Sequence, residues 1–138
     1  MYTIEEQKEH RRLWVEALRS GEYNQGQNAL CEKDIEGTLK YCCLGVACKI
    51  SGLGEFVPVP NLPHPPSVFT FVTKDEQPQY SVLPKLVKEW LGLCAYDGSY
   101  QDNNTSLIDL NDEGASFNEI ANIIESEPED LISLSRGE

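Results

Sequence analysis

Residues 40–52, KYCCLGVACKISG, decide the fold. Cys42, Cys43, Leu44, Val46, Ala47 and Ile50 put apolar side chains on nearly every face of a helix, and a helix apolar all round is one enclosed by its own domain. Gly45, in its middle, lets another backbone come close. Gly52 or Gly54 ends it. Such a helix needs cover on all sides, so the flanking segments must supply it.

Immediately upstream, EYNQGQNALCEKDIEGTLKYCC reads as a loop and a short hairpin, with DIEG (34–37) as the turn between ALC (29–31) and TLKY (38–41). Farther upstream, Thr3 and Glu6 form a T-x-x-E capping box that opens a helix running to about Arg19. Leu13, Trp14, Ala17 and Leu18 make its inward stripe, Glu9, Arg12, Glu16 and Arg19 its wet face, and Gly21 its stop.

Downstream, residues 55–82 form an insertion. Pro58, Pro60, Pro63, Pro65 and Pro66 forbid helix and central strand, so an extended loop is expected. SVFTFVTK (67–74) then alternates with period two, and the turn-like DEQPQ and YSVL complete a second hairpin. A third helix follows, with Pro84 in its first turn, Leu83, Val87, Trp90 and Leu91 on one face, and Gly92 as stop. CAYDGSYQDNN (94–104) is loop. Residues 105–126 read as a helical hairpin. Thr105 caps a short helix carrying Leu107, Ile108 and Leu110 that closes at Gly114. Ser116 and Glu119 form a second capping box before Phe117, Ile120, Ala121 and Ile124, and Pro128 limits that helix. The last ten residues add a short turn around Leu131 and Ile132 or fray. The expected fold is a single α+β domain over 1–138, mostly helical, with four or five helices and one or two short β-hairpins.

Composition narrows the function classes. With 138 residues the chain fits one core. No apolar run reaches the roughly 20 residues of a membrane span, and MYTIEEQKEHRR is not a signal peptide, so a cytoplasmic protein without a membrane partner is expected. The net charge of −12 opposes binding to nucleic acid polymers. That charge is lopsided: residues 91–138 hold eleven acids and one base, Arg136, whereas residues 1–90 hold twelve acids and ten bases. A site for an anionic ligand must draw its cations from the first ninety residues.

The five cysteines show no zinc spacing, and no metal or cofactor is expected. Cys42, Cys43 and Cys48 lie in an apolar helix, which raises a thiol pKa and suits core packing rather than a nucleophile. His10 and His64 form no catalytic pair. YDGSYQDNNTSLID has oxygen ligands but lacks the glycine and glutamate of an EF-hand. DEGAS joins two helices as in a helix-turn-helix, but in the most acidic part of the chain. With no catalytic signature, the protein is not expected to be an enzyme. What remains is a polar and aromatic set at helix ends: Arg19, Tyr23 and Gln25 after the first helix, Lys40 and Tyr41 before the second, Asn111 and Asp112 before Gly114. Rings for a base, amides for hydrogen-bonding edges and cations for phosphate make a nucleotide-sized inventory. The same residues also fit purely structural duty, with Tyr41 in the core, Gln25 and Asn111 satisfying turn backbone, and Arg19 paired with a carboxylate.

The succession WVEALRSGEYNQG, KYCCLGVAC, LPKLVKEWLGL and LIDLNDEGASFNEIANIIE resembles a widespread group of small phage and prophage proteins. The match touches Trp14, Leu18, Ser20, Gly21, Tyr23 and Gln25, then Tyr41–Val46 and Cys48, Leu83, Pro84 and Trp90–Leu93, and finally Leu110–Asp112, Gly114, Ser116, Phe117, Ile120 and Ala121. Residues 53–80 and 94–104 fall outside it. Many proteins of this kind counter host defence, and one class, with families such as Sequestin and Lockin, resembles sponges for nucleotide immune signals. The resemblance implies a homo-oligomeric protein of the infected cell's cytosol. It would sequester a cyclic ADP-ribose isomer, an ADP-ribose conjugate or a cyclic dinucleotide without cleaving it. The expected site joins the ends of the first two helices: Tyr23 or Tyr41 stacks on a base, Arg19 and Lys40 meet phosphate, Gln25 and Asn111 read edges, with Asp112 beside them, and the Pro-rich loop covers the ligand. Two rival readings are an acidic interaction protein that mimics DNA and an enzyme that degrades the same signal with Asp109 or Asp112 as base.

Overall fold

A computed structural model describes residues 2–59, 67–74, 76–101 and 104–133. It shows the α+β architecture, with five helices, a four-stranded sheet and a two-stranded one. The chain runs α1 (Ile4–Arg19), β1 (Cys31–Lys33), β2 (Leu39–Tyr41), α2 (Cys43–Ser51), β3 (Gly54–Pro58), β4 (Ser67–Thr73), α3 (Lys85–Leu91), β5 (Ser99–Tyr100), β6 (Thr105–Ser106), α4 (Leu107–Asp112) and α5 (Phe117–Ser126).

Helix α2 is the buried centre: Cys43 through Cys48 are all buried, and α1, α3, α4, β2 and β3 pack around it. Gly45 is where the backbone at Leu30, just before β1, comes against the helix. A Cβ there would lie 1.8 Å from the carbonyl oxygen of Leu30, so no other residue fits. Gly52 ends the helix with φ +71°.

The inward face of α1 is rotated from the expected stripe. Arg11, Trp14, Val15 and Leu18 are buried, whereas Leu13 is 36% exposed. The reason is polar. The last carbonyls of α3 lack helical partners, and α1 supplies them: Gln7 donates to Glu89 (2.8 Å), Arg11 to Leu91 (2.6 Å), and His10 Nδ1 lies 2.7 Å from the Trp90 oxygen. The His10 ring stacks on Trp90 at 4.0 Å. A guanidinium there also opposes the negative end of the helix dipole. Apolar periodicity could not report these long side chains, because they are inward for their donors. One turn on, Trp14 Nε1 donates to the Cys43 carbonyl (2.9 Å) and fixes α1 to α2.

The four-stranded sheet is antiparallel in the order β2-β1-β4-β3. The first hairpin forms as expected about residues 34–37, with its first strand at 31–33 in place of 29–31; Leu30 continues the ladder by one bond only, its carbonyl accepting from Cys42 while its N–H turns away to Tyr80. The insertion differs from expectation. Residues 54–58 are not loop but the edge strand β3, paired with β4 from Gly54↔Thr73 to Pro58↔Phe69. Proline is tolerated there because an edge strand can face its missing N–H outward. The YSVL segment (80–83) is therefore not the partner of β4; the bridge Phe71↔Gln79 falls one residue before it, at the end of the expected turn. Pro60, Pro63, Pro65 and Pro66, and hence the expected cover, lie outside the described residues.

Two further corrections concern residues 94–106. The expected loop holds the β5–β6 pair, Ser99↔Ser106 and Tyr100↔Thr105. Thr105 lies in β6, so Ser106 is the residue that caps α4, accepting from the Asp109 N–H (3.0 Å). Helix α5 opens with the expected Ser116–Glu119 capping box and buries Phe117, Ile120, Ala121 and Ile124. After it, Leu131 is buried and the Leu93↔Ile132 bridge ties the chain to the end of α3.

Candidate functional site

Asn111 is the hub of the expected site, and it is fully buried. Its Oδ1 accepts from the Cys43 N–H (3.1 Å) and from Gln25 Nε2 (2.9 Å), while its Nδ2 donates to the Gly26 carbonyl (2.8 Å). Gln25 reaches further, donating to the Ala115 carbonyl (2.7 Å) and accepting from the Phe117 N–H (3.1 Å). Cys43 and Phe117 are the first residues of α2 and α5, where N–H groups have no helical acceptor. Cys42, at the N-cap of α2, makes no side-chain cap bond. Asn111 and Gln25 thus cap two helices from a distance and pin the 24–28 loop to both. Asp112 completes the clamp by accepting from the Asn28 N–H (2.8 Å), which holds Asn28 at φ +70°.

Of the other four expected residues only Lys40 comes to the same place as Gln25; Tyr41, Tyr23 and Arg19 do not. Tyr41 is 7% exposed, its ring packed edge-on between Tyr23 (5.5 Å) and Phe56 (5.9 Å), and burial raises its pKa. Neither face of a core ring is available to a base. Tyr23 instead lines a shallow hollow with Leu13 and Ile50. Arg19 bridges α1 to α5, with Nη2 2.9 Å and Nη1 3.2 Å from the two Glu125 oxygens, and also donates to Asn122. That pairing raises the pKa of Arg19 and lowers that of Glu125. Lys40 lies 3.5 Å from Asp34, whose carboxylate caps the hairpin turn by accepting from Thr38 and Glu36; these bonds hold its pKa below the usual value.

A groove of about 420 Å³ nevertheless opens beside the hub, lined by Gln25, Gly26, Gln27, Asn28, Glu32, Lys40 and Gly114. The loop can lie this close to β2 only because residue 26 is glycine: a Cβ there would meet Lys40 Cβ at 2.8 Å. Two bonds, Gly26 N–H to the Tyr41 carbonyl (2.7 Å) and Tyr41 N–H to Asn24 (2.8 Å), lock loop to strand. Gln27 and Asn28 are exposed, and Lys40 is half-buried. Of the seven expected residues, Gln25 and Lys40 line the groove and Asn111 and Asp112 fix its floor. Arg19 and Tyr23 lie elsewhere, and Tyr41 is in the core.

The family model of a domain of unknown function, DUF8296, matches residues 6–128, from the first turn of α1 past the end of α5. The chain belongs to this family. No curated protein and no solved structure matches it.

In this DUF8296 domain the thiols are held as neutral groups: burial pushes Cys42 up to about 12 and Cys31 to about 11, and Cys43 and Cys48 well above the ordinary value. Cys94 differs from the other four in being exposed. Sequence reasoning missed Gln27, Asn28 and Glu32. The signal was the polar run NQGQN at 24–28, whose lone glycine marks a close backbone approach.

Proposed function

We propose that this protein binds a small nucleotide-derived molecule in the Gln25–Lys40 groove and sequesters it without cleaving it, as a phage counter-defence protein in the cytosol of an infected cell. The observation that carries this reading is the fixed floor. The 24–28 loop is bonded to α2, α4, α5 and β2 through Asn111, Gln25, Asp112 and Gly26, so its backbone is ordered before any ligand arrives and binding costs only the freedom of the exposed side chains above it. Gln27 and Asn28 offer paired donors and acceptors for base edges and ribose hydroxyls, and Lys40 offers a charge for phosphate. Stacking on Tyr41 is no part of the proposal, since that ring is buried. With one cation in the groove, a diphosphate would require a second; a homo-oligomer that faced two grooves together would supply it.

Calorimetry against cyclic ADP-ribose isomers, ADP-ribose conjugates and cyclic dinucleotides is the direct test, with Gln27→Ala and Lys40→Ala as controls. Heat from one of these ligands, abolished by the variants, with the ligand recovered intact after denaturation, is the expected result; silence across the panel ends the idea.

A second reading, an acidic surface that engages a basic host protein, draws on the exposure of Asp109, Glu113, Glu119, Glu127 and Glu129 along α4, α5 and the segment beyond. The two readings differ in the sign of their salt dependence. An anionic ligand approaching a protein of charge −12 is repelled, so added salt preserves or strengthens its binding, whereas association with a basic partner weakens.

A further inference from the structure

A second concavity, about 410 Å³, lies between α1 and α5, remote in sequence from the 24–28 loop. Its floor is apolar, with Val15 and Ile124 buried at 5% and 2% exposure. Set into that floor is Arg11, itself 6% exposed. A guanidinium carries five N–H donors, and only one close bond is described for it, Nη1 to the Leu91 carbonyl. The nearest carboxylate, Glu127, stands 3.9 Å from Nη2, too far for a hydrogen bond, and its side chain is 49% exposed. Among the described residues no buried side-chain nitrogen or oxygen lacks a partner, so the Arg11 N–H groups not bonded to Leu91 open into the groove, where a ligand carboxylate is a closer acceptor than Glu127 at 3.9 Å. Burial lowers the pKa of Arg11, and Glu127 only partly offsets that.

We propose that the α1–α5 groove binds a small molecule with an apolar body and a single carboxylate, the body resting on Val15 and Ile124 and the carboxylate displacing Glu127 from Arg11. The volume is that of a small-ligand site, for which roughly 300–1,000 Å³ is usual. A monoanion is favoured over a dianion because the rim carries acids as well as bases: Glu5, Glu9, Glu125 and Glu127 stand with Lys8 and Arg12, Glu125 is held by Arg19, and Arg12 is already engaged by Glu9 (2.6 Å) and Glu16 (2.9 Å). A second negative charge would add repulsion from these exposed carboxylates, which solvent weakens without removing.

The test titrates the full-length ¹⁵N-labelled protein with octanoate, 1-octanol and octyl phosphate, following amide shifts. Saturable shifts with octanoate at residues 8–15 and 124–127, with a Kd near or below about 1 mM as ligand efficiency allows, and binding at least about ten-fold weaker for the alcohol and weaker for the phosphate, are expected. Glu127→Gln removes the internal competitor and leaves the Arg11–Leu91 bond in place, so octanoate should bind about two- to five-fold more tightly to it, the range that releasing a weak ion pair allows. Shifts centred on residues 25–28, equal binding of octanoate and octanol, phosphate binding as tightly as carboxylate, no saturation by octanoate, or an affinity unchanged by Glu127→Gln would each overturn the proposal.

Discussion

Replacing Asn111 with alanine should be among the most damaging single changes in this protein. The side chain is fully buried, and its two polar atoms serve three partners on different elements: the Cys43 N–H of α2, the Gln25 amide and the Gly26 carbonyl of the loop. Alanine leaves all three behind. Gln25 retains its bonds to Ala115 and Phe117, and Cys42 offers no substitute cap for Cys43, so two backbone groups become buried orphans. At about 1–3 kcal/mol for each of the two unsatisfied groups, the loss is about 2–6 kcal/mol, a large share of the roughly 5–15 kcal/mol that folds a domain. In a urea titration followed by far-UV circular dichroism, with m of about 2 kcal/mol/M, the midpoint should fall by about 1–3 M. Asn111→Asp supplies a finer comparison. It keeps both Oδ1 bonds but loses the donor to Gly26 and buries a charge, so its cost should shrink as pH falls and the carboxyl protonates. A midpoint shift under about 0.5 M for Asn111→Ala, or an Asn111→Asp variant indifferent to pH between 4 and 8, would refute the assignment of Asn111 as a two-helix clamp.

Gly45→Ala should destabilise by about 3 kcal/mol or more in the same titration although alanine is the better helix former by about 1 kcal/mol, because the new Cβ would meet the Leu30 oxygen at 1.8 Å; a neutral or stabilising result contradicts the packing of the Leu30 backbone on α2. Glu76→Ala should cost about 1–2 kcal/mol, since its carboxylate accepts from Lys85 (2.7 Å) and Leu86 (3.2 Å) at the start of α3, where the N-cap Pro84 has no side-chain acceptor; an unchanged midpoint would show the cap to be idle. Ellman's reagent should label Cys94 rapidly in the native state and Cys31, Cys42, Cys43 and Cys48 only as the protein unfolds; fast labelling of two or more thiols would contradict the burial described here. Those buried thiols also set an alkaline limit. Their folded pKa values are raised, so unfolding releases protons above the unfolded value near 9, and stability is full below about pH 9 and declines through pH 9–11, by about 1.4 kcal/mol per pH unit for each thiol. Urea midpoints measured from pH 8 to 10.5 check this, and a flat profile would contradict it.

The parts of this fold that were legible in the sequence are those written in local chemistry. Both capping boxes, the all-apolar α2, the close approach at Gly45 and the stop at Gly92 each rest on residues within a few positions of one another, and each is found where its local pattern puts it. The two largest failures, at Arg11 and at β3, share one cause, that what decides each lies far along the chain. Arg11 is absent from the apolar stripe that marks the inner face of α1, and only α3, eighty positions on, presents the carbonyls that draw it inward. The edge strand β3 reads as loop because its proline is tolerable only at a border, and which strand is a border depends on β4 pairing with β1. The candidate site follows the same rule. Gln25, Asn111 and Asp112 were recognised as polar residues in apolar surroundings, and they do converge, but on backbone groups that helices α2 and α5 leave unpaired, so their hydrogen-bonding capacity is engaged before any ligand arrives. A ligand in this groove must therefore be recognised by residues the hub holds in place, Gln27, Asn28 and Lys40, and not by the hub itself. Variants of the hub should change stability and affinity together, whereas variants of those three should change mainly affinity, because the bonds their side chains make within the protein are long, Gln27 to the Asn111 carbonyl at 3.4 Å and Lys40 to Asp34 at 3.5 Å. That separation distinguishes a binding groove built over a structural knot from a knot that happens to leave a hollow beside it.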